Sequence, residues 1–586
     1  MRPATVSRTA MALAALLCAL LALGPPPAEA ASYSKITGAG STWSSNALDQ
    51  WRRNVASNLG MTVNFAATGS SDGRQQFRNG TVDFAVSEIP YGLVEGGVTE
   101  PAPRRGYAYM PIVAGGTAFM YNLTIGGRKV TNLRLSGEVL AKIFTSKITR
   151  WDAPEIKADN PGLTLPGRQI IPVVRSDGSG TTAQFTTWLA KEHGPTWDDF
   201  CRRAGRSTPC RMTSYFPTAQ GTSQIAKSGS LGVSGYVRQN HAEGAITYVE
   251  YSYAIKTGFP VAKVLNRSGY YVEPTAAGVA VGLMAAKINT NKDSTDYLTQ
   301  ILDGVYRSGD RRAYPLSSYS YMVVPTSLDG EKNPMTEAKG RTLGAFANYF
   351  LCDGQQQADE LGYSPLPKNL VLAGFDQVRR IPGAPAGQVN INSCRNPTFS
   401  SDGSNTLAKK APYPKDCDKR GPTQCSTGTA GAKSETPVKP SAQGPGGGGG
   451  SGTGGGTGGT SGPNGGTGGG GGGSAGPSGT PGATGSTGGG SDADGDGTPD
   501  EQEAGAAASG GGAVDPDTGE VIAAGTTGGD SSVVANPVGL AADDAVGLRG
   551  ALMALSALLL AGVVVGPPLT ARALAARSRR KGDDLS

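Results

Sequence analysis

One short stretch of the sequence, RSDGSGTT at residues 175–182, combines an arginine, an acid, two glycines and a row of hydroxyl side chains. It lies between an apolar run and a segment in which Phe185, Trp188 and Leu189 have the spacing of one helix face. The first N–H groups of a helix lack internal partners and carry the positive end of its dipole. Glycine allows close approach, and arginine offers a planar, permanently charged group to an oxyanion. The stretch predicts an anion site, with a plain turn and helix N-cap as the alternative.

The same order of strand, glycine–hydroxyl loop and helix occurs twice earlier in the chain. The segments are YSKITGAGSTWSSNALDQWRR, with Ser41 and Thr42 before the helical pattern, and MTVNFAATGSSDGRQQFRNG, with its loop at 69–71. A P-loop is excluded because G-x-x-x-x-G-K-[ST] is absent, and no G-x-G-x-x-G follows a predicted strand. Three such loops favour a site for a small, free anion over three unrelated turns.

The sequence resembles the phosphate-binding receptors of high-affinity phosphate ABC transporters. The resemblance covers roughly residues 35–380 and is carried, in family order, by GAGSTW, GSSDGRQQFRNGTVDFAVSE, LAKIFTSKITRWDAPEI, NPGLTLPGRQIIPVVRSDGSGTT, GVSGYVRQNHAEGAITYVEYSYA and LGYSPLP. It implies an α/β, two-lobed periplasmic-binding-protein-like fold of type II. Crossing strands would join the lobes, and phosphate would bind in the cleft between them.

The resemblance also implies ligand roles for residues of both lobes. These phosphate-binding residues are Thr42, the Trp43 backbone N–H and Ser70 in the first lobe, and Arg175, Ser179, Gly180 and Thr181 in the second, with Asp177 orienting the arginine. Glu88 stands where the family has an aspartate that accepts a hydrogen bond from the proton of phosphate. Glutamate keeps this chemistry but adds a methylene, so we expect phosphate to bind with reduced affinity. A solvated loop acid is the alternative for Glu88.

Two charged residues, Asp72 and Arg74, lie in a loop that is usually glycine-rich and neutral in the family. We expect them to pair with each other at the rim of the cleft. If Asp72 faced the anion instead, phosphate binding would be weakened.

The first 30 residues have the pattern of a secretory signal peptide. Arg2 and Arg8 precede an apolar run, and the A-x-A sequence at 28–30 marks a cleavage site. Six cysteines remain after it, an even number that predicts disulfides in an exported protein. Cys201–Cys210 and Cys417–Cys425 are the favoured pairs because they are close in sequence. Zinc is not supported, since no C-x-x-C occurs and the chain has only 2 histidines.

A membrane-spanning helix is predicted at residues 550–571. This run has 22 uncharged residues, and at about 1.5 Å per residue it would extend roughly 33 Å, enough to cross a bilayer. The basic tail at 572–586 favours a cytoplasmic C-terminus with the globular part outside the cell.

The segment before this helix is predicted to be a linker. From Ser441 to Gly490, 28 of 50 residues are glycine and none is charged, which predicts disorder. Within the linker, DADGDGTPDEQE fits the calcium-loop pattern, with the candidate oxygen ligands Asp492, Asp494, Asp496, Asp500 and Glu503. Pro499 and the lack of flanking amphipathic helices favour an acidic spacer instead, and both alternatives stay open.

The expected organisation is a signal peptide (1–30), a two-lobed anion-binding domain (31–398), a cysteine-containing extension (399–435), a glycine-rich linker (436–545), a transmembrane helix (550–571) and a basic tail (572–586). The function expected is a membrane-tethered extracellular protein that captures inorganic phosphate for an ABC permease and uses no cofactor, apart from calcium if the linker loop binds it. A sensor of phosphate or another tetrahedral oxyanion, and a calcium-dependent adhesion protein, are the alternatives.

Two further classes of function find no support in the sequence. An enzyme is not expected, because the chain has 2 histidines and no metal-spaced His/Asp cluster. Nucleic-acid binding is not expected either, because a net charge of +6 over 586 residues is small.

Overall fold

The computed structural model describes residues 33–95, 97–294, 296–328, 334–385 and 391–439, together with two short strands further on, at 513–514 and 521–522. The predicted signal peptide, calcium loop and transmembrane helix lie outside the described residues. Within the described ranges, no helix has the length and apolar character needed to cross a membrane. The same ranges contain no cluster of three His, Cys, Asp or Glu side chains that could hold a metal ion.

The α-helices of the described residues are α1 (Ser45–Leu59), α2 (Ser70–Arg78), α3 (Gly137–Phe144), α4 (Pro154–Asp159), α5 (Gly180–Glu192), α6 (Gly194–Arg203), α7 (Gly229–Arg238), α8 (Tyr251–Thr257), α9 (Ala276–Leu283), α10 (Asp303–Tyr306), α11 (Glu337–Leu351), α12 (Ala358–Leu361), α13 (Lys368–Val378) and α14 (Thr406–Lys410). Short 3₁₀ helices occur at Asn240–Ala242, Asp353–Gln357, Ile391–Ser393 and Asp416–Asp418.

The strands are β1 (Ile36–Gly40), β2 (Val63–Ala66), β3 (Phe84–Ser87), β4 (Val94–Glu95), β5 (Val98–Thr99), β6 (Tyr107–Tyr121), β7 (Thr124–Ile125), β8 (Arg128–Lys129), β9 (Arg134–Leu135), β10 (Ile171–Arg175), β11 (Ile225–Lys227), β12 (Ala245–Glu250), β13 (Lys263–Leu265), β14 (Tyr271–Val272), β15 (Lys287–Ile288), β16 (Gln300–Ile301), β17 (Ser317–Pro325), β18 (Ala513–Val514) and β19 (Val521–Ile522). The last two pair with each other in antiparallel orientation.

One eight-stranded sheet, in the order β11-β10-β12-β6-β17-β3-β1-β2, carries two separate hydrophobic cores. The first, which we call lobe 1, surrounds β1–β3 and includes the stacked pair Trp51 and Phe350. The second, lobe 2, surrounds β10 and β12 and includes Phe119, Phe144 and Phe185. The predicted strand–loop–helix units are confirmed as β1–α1, β2–α2 and β10–α5, with Phe185 of α5 turned into the core as its spacing indicates.

Strand β6 passes from one lobe to the other. Its residues 107–116 pair with β17, and its residues 117–121 pair with β12. At the point of passage a Cβ on Gly115 would lie 2.8 Å from the Trp43 ring, and one on Gly116 would lie 2.5 Å from Pro274. Glycine is required there because the backbone and these side chains approach too closely for any larger residue.

A buried acid, Glu250, lies at this passage, directly opposite Thr117 of β6. One carboxylate oxygen accepts the Ser252 N–H at 2.8 Å, whereas Oε1 has no hydrogen-bond partner among the described residues. Burial raises the pKa of Glu250 well above its ordinary value of 4.5. An ionised Glu250 therefore destabilises the folded state.

We expect Glu250→Gln to stabilise the protein in a pH-dependent way. Because the pKa is higher in the folded than in the unfolded chain, the unsubstituted protein loses stability as pH rises from 4.5. The variant should gain about 1 kcal/mol or more near pH 8 and almost nothing near pH 4, measured by thermal unfolding at both values. Glu360→Gln, at an exposed site in α12, is the control. Equal gains at the two pH values would contradict the assignment.

Three disulfides connect the described cysteines. Cys201–Cys210 and Cys417–Cys425 are confirmed, and the third joins Cys352 to Cys394 within lobe 1.

The residues that follow Cys394 pack against the two-lobed domain. Thr398 donates to the Leu366 carbonyl in lobe 1 at 2.8 Å, and α14 packs against α9.

The second half of the extension is bound to lobe 2. Buried Arg134 donates through Nη1 to the carbonyls of Cys417 at 3.0 Å and Thr423 at 2.8 Å. Asn132 Nδ2 donates to the Cys425 carbonyl at 2.8 Å. The extension therefore contributes to the folded structure of lobe 2 instead of merely following the domain.

We expect a chain that ends at residue 398 to be less stable than one that ends at residue 439. The shorter chain loses the hydrogen bonds to Arg134 and Asn132, which should cost about 2 kcal/mol or more. Thermal unfolding of the two chains measures the difference. Equal Tm values would show that the extension is not part of the cooperative unit.

Candidate anion-binding site

The loops after β1, β2, β3 and β10 meet between the two lobes. Parallel strands place their carboxyl ends at one edge of a sheet, and this edge is where ligands bind in open α/β folds. The lobes touch there: the Ser71 N–H donates to the Gly178 carbonyl at 3.0 Å, and the Gly180 N–H donates to Ser70 Oγ at 3.1 Å. The structure therefore brings the two halves of the predicted site together.

Arg175 lies at the end of β10, where its side chain is 2% exposed. Its Nε donates to Asp177 Oδ1 at 2.7 Å, and Nη2 pairs with Asp177 Oδ2. The Gly229 N–H adds a hydrogen bond to Asp177 Oδ1 at 2.9 Å. Burial opposes ionisation of Asp177, but the hydrogen bonds and charge of Arg175 outweigh it and hold the pKa of this carboxyl below its usual value. This ion pair keeps the guanidinium in one orientation.

The N-terminus of α5 supplies the remaining second-lobe residues. Ser179 is the N-cap, and its Oγ accepts the Thr182 N–H at 3.2 Å. Thr181 Oγ1 is buried and has no hydrogen-bond partner among the described residues. A buried polar atom of this kind normally has a partner, so the Thr181 hydroxyl has hydrogen-bonding capacity at the mouth of the helix that no described residue uses.

Thr42 is connected to Arg175 through Ser230, the second residue of α7. Thr42 Oγ1 and Ser230 Oγ are 2.8 Å apart, and Arg175 Nη1 donates to Ser230 Oγ at 3.4 Å. The Trp43 backbone N–H donates to Ser41 Oγ at 2.9 Å, and the Trp43 carbonyl accepts the Tyr363 hydroxyl at 2.6 Å. Buried hydrogen bonds through Thr42 and Ser230 therefore link the first lobe to Arg175 in the second.

Glu88 follows β3 and is fully buried, so the alternative of a solvated loop acid is wrong. Its Oε1 accepts the hydroxyls of Ser41 at 2.6 Å and Ser320 at 2.8 Å, and its Oε2 accepts that of Ser70 at 2.8 Å. A Cβ on Gly180 would lie 1.9 Å from Oε2, which places the carboxylate at the first turn of α5. Burial raises the pKa of Glu88 above its ordinary value, against the opposing effect of the three hydroxyls.

The predicted pairing of Asp72 with Arg74 is wrong. The two residues are two positions apart on α2 and point in different directions from the helix. Arg74 Nη2 pairs with Glu100 Oε2 at 3.0 Å, and Nη1 donates to Ser87 Oγ at 3.0 Å. Asp72 accepts from Gln76 Nε2 at 2.5 Å, one turn further along the helix.

Sequence reasoning placed Ser41 in the first glycine–hydroxyl loop but gave it no role in the site, and it missed Ser230 and Ser320. Ser230 had a usable signal, because β11, the loop at Ser228–Ser230 and α7 form a fourth strand–loop–helix unit. Ser320 had none, because its contact with Glu88 depends on the pairing of β17 with β3 and not on neighbouring residues in the sequence.

Comparison with known proteins agrees with this architecture. The family model described as a PBP superfamily domain matches residues 25–354. The chain therefore belongs to the PBP superfamily, and its fold is the predicted two-lobed, type II periplasmic-binding-protein-like α/β fold.

Within that superfamily, the chain belongs to the family of phosphate-binding proteins PstS. It is 31% identical over 352 residues to PstS of Haemophilus influenzae, covering 60% of this chain and 94% of the relative. It is 30% identical over 347 residues to PstS of Xylella fastidiosa, covering 59% and 85%. A solved phosphate-binding protein from Stenotrophomonas maltophilia is 18% identical, with a TM-score of 0.42, covering 64% of this chain and 99% of that one.

A second contact between the lobes lies beside the site. Glu95 of the β4–β5 hairpin accepts hydrogen bonds from the Ser214 backbone N–H, from Ser214 Oγ at 2.9 Å and from Thr213 Oγ1 at 3.1 Å. Charge-assisted hydrogen bonds are stronger than neutral ones, so this carboxylate stabilises the contact between the lobes.

We expect Glu95→Gln to shift the protein towards an open arrangement. Loss of charge-assisted bonds worth about 1 kcal/mol should raise the open population about fivefold. Small-angle X-ray scattering would detect this as a larger radius of gyration without added ligand. Glu360→Gln serves again as the control. An unchanged radius in Glu95→Gln would show that this contact does not hold the lobes together.

Proposed function

We propose that this protein captures inorganic phosphate between its two lobes. The observation that carries the proposal is the interlobe network in which Glu88, a buried acceptor, lies beside the first turn of α5. The Thr181 hydroxyl of that turn is buried and bonds to no residue that the structure describes. The phosphate-binding residues proposed are Thr42, the Trp43 N–H, Ser70, Glu88, Arg175, Ser179, Gly180 and Thr181, with Asp177 orienting Arg175. The names of the PstS relatives support phosphate as the ligand.

The charge balance of the site explains how phosphate would be distinguished from other oxyanions. Arg175 is neutralised by Asp177, and among the described residues Glu88 has no ion-pair partner. Binding must therefore depend on hydrogen-bond donors and not on net positive charge. Phosphate carries a proton that it can donate to Glu88, whereas sulfate would place a fully ionised oxygen against a buried carboxylate.

We propose that the protein is a binding protein and not an enzyme, and that it delivers phosphate to an ABC permease. The PstS relatives are named for binding. Opening of the lobes would release the ion, because the donors of the site belong to both lobes.

We also propose that the protein is held at the outer face of the cell membrane. The apolar run at 550–571 and the basic residues that follow support an anchor with a cytoplasmic tail. A flexible chain with the length of the predicted linker, 436–545, would have a root-mean-square span of about 50–60 Å. The receptor could then collect phosphate at that distance and remain close to the permease.

We expect the chain from residue 31 to 439 to bind phosphate in a calorimetric titration and to discriminate against sulfate. Arg175→Ala should weaken phosphate binding about 100-fold or more, because it removes the charged donor and leaves Asp177 buried without its partner. Arg150→Ala, at an exposed arginine of lobe 2, is the matched control and should bind normally. Absence of phosphate binding by the unsubstituted chain, or equal binding of sulfate, would overturn the proposed function.

A further inference from the structure

The donors proposed for phosphate are connected to Glu88 through serine hydroxyls. The Trp43 N–H donates to Ser41 Oγ at 2.9 Å, and the Gly180 N–H donates to Ser70 Oγ at 3.1 Å. Each hydroxyl that accepts an N–H directs its own hydrogen to Glu88, at 2.6 and 2.8 Å respectively. The position of the Glu88 carboxylate therefore affects how the backbone donors are presented.

A third hydroxyl reaches the same carboxylate from a distant part of the chain. In the antiparallel pair of β17 and β3, Tyr321 lies opposite Ser87, so Ser320 lies opposite Glu88. Ser320 Oγ is buried, 2.8 Å from Glu88 Oε1 and 3.3 Å from Ser44 Oγ.

The pairing of β17 with its other neighbour, β6, is irregular next to Ser320. The register changes here, since Ser320 lies opposite Val113 and Tyr321 opposite Pro111. The extra residue of this β-bulge is on β6, next to a proline that cannot donate to the ladder. The bulge therefore distorts β6 and not β17. The side chains of β17 still alternate between the two faces of the sheet, and β17 keeps its register with β3.

The two oxygens of Glu88 have different surroundings. Oε1 accepts two hydroxyls, from Ser41 and Ser320, whereas Oε2 accepts only Ser70 and lies beside Gly180 at the mouth of α5. A carboxylate oxygen that already accepts two short hydrogen bonds has little capacity for a third. Oε2 is therefore the oxygen available to a ligand.

We propose that Ser320 is a specificity-determining positioning residue: by binding Oε1 together with Ser41, it holds the long glutamate side chain so that Oε2 faces the ligand as an acceptor. This inference rests on the proposed function. The extra methylene of glutamate allows the carboxylate more positions than an aspartate would have. The Ser320 hydroxyl restricts it, because it gives Oε1 a second hydrogen bond beside that of Ser41. Without Ser320, Glu88 would be stabilised less as a carboxylate. It would then hold a proton more readily and could donate that proton to a fully ionised oxyanion.

The test compares phosphate and sulfate binding in matched variants of the chain from residue 31 to 439. Ser320→Ala should lower the selectivity for phosphate over sulfate about tenfold, measured as the sulfate concentration that displaces bound phosphate. Ser318→Ala is the matched control, because Ser318 lies on the same face of β17, is equally buried and has no hydrogen-bond partner for its Oγ among the described residues. It should keep the selectivity of the unsubstituted chain.

Two further variants keep the test decisive. Ser320→Cys keeps the shape of the side chain but offers only a weak S–H donor, and it should also lower selectivity, which tests the role of Ser320 if Ser320→Ala does not fold. Ser320→Thr keeps a hydroxyl and should restore selectivity, which a loss of packing alone would not explain.

The outcomes separate this inference from the function on which it rests. If the unsubstituted chain binds no phosphate, the proposed function fails and the role of Ser320 fails with it. If that chain binds phosphate selectively and Ser320→Ala is as selective as Ser318→Ala, only the role of Ser320 is overturned.

Discussion

A carboxylate that stays ionised in a buried site without a cation needs hydrogen-bond donors on both oxygens, and this requirement organises the surroundings of Glu88. Glu88 meets it with hydroxyls from the loops after β1 and β2 and from the middle of β17. The charge thus holds together three segments that are far apart in the chain. Since an unpaired buried charge costs several kcal/mol, these segments cannot separate without a substitute for the lost bonds.

The connection between the lobes has a different physical basis. Strand β6 belongs to both sheet halves, and its two glycines at the passage allow Trp43 and Pro274 to pack directly on the backbone. Apart from this packing and a small apolar cluster that includes Ile89 and Ala183, the lobes meet through polar contacts, such as those of Ser70, Thr42 and Glu95. Polar contacts can be exchanged for water or ligand at small net free energy, which suits a protein that must both retain and release an anion.

The electrostatics of the site favour discrimination over simple attraction. The permanent charge of Arg175 is balanced by Asp177, which also fixes its direction. With this balance, we propose that neutral donors and the Glu88 carboxylate distinguish anions by the number of protons that they carry. A site with excess positive charge would bind many anions, whereas a balanced site penalises any anion that leaves a donor or acceptor unpaired.

The sequence by itself determined the local units and the family: the strand–loop–helix segments, the Arg175–Asp177 loop, the two sequence-near disulfides and the resemblance to phosphate receptors all follow from residues that are close along the chain. Glu88 was also identifiable, because it replaces an aspartate within a recognisable motif.

Only the tertiary structure decided which residues surround these groups. Ser320 is 232 residues from Glu88 and meets it through the register between β17 and β3. Arg74 pairs with Glu100 because helix geometry turns it away from Asp72. Such partners depend on strand pairing and helix orientation, which are set by the packing of the two cores and leave no mark in the local sequence.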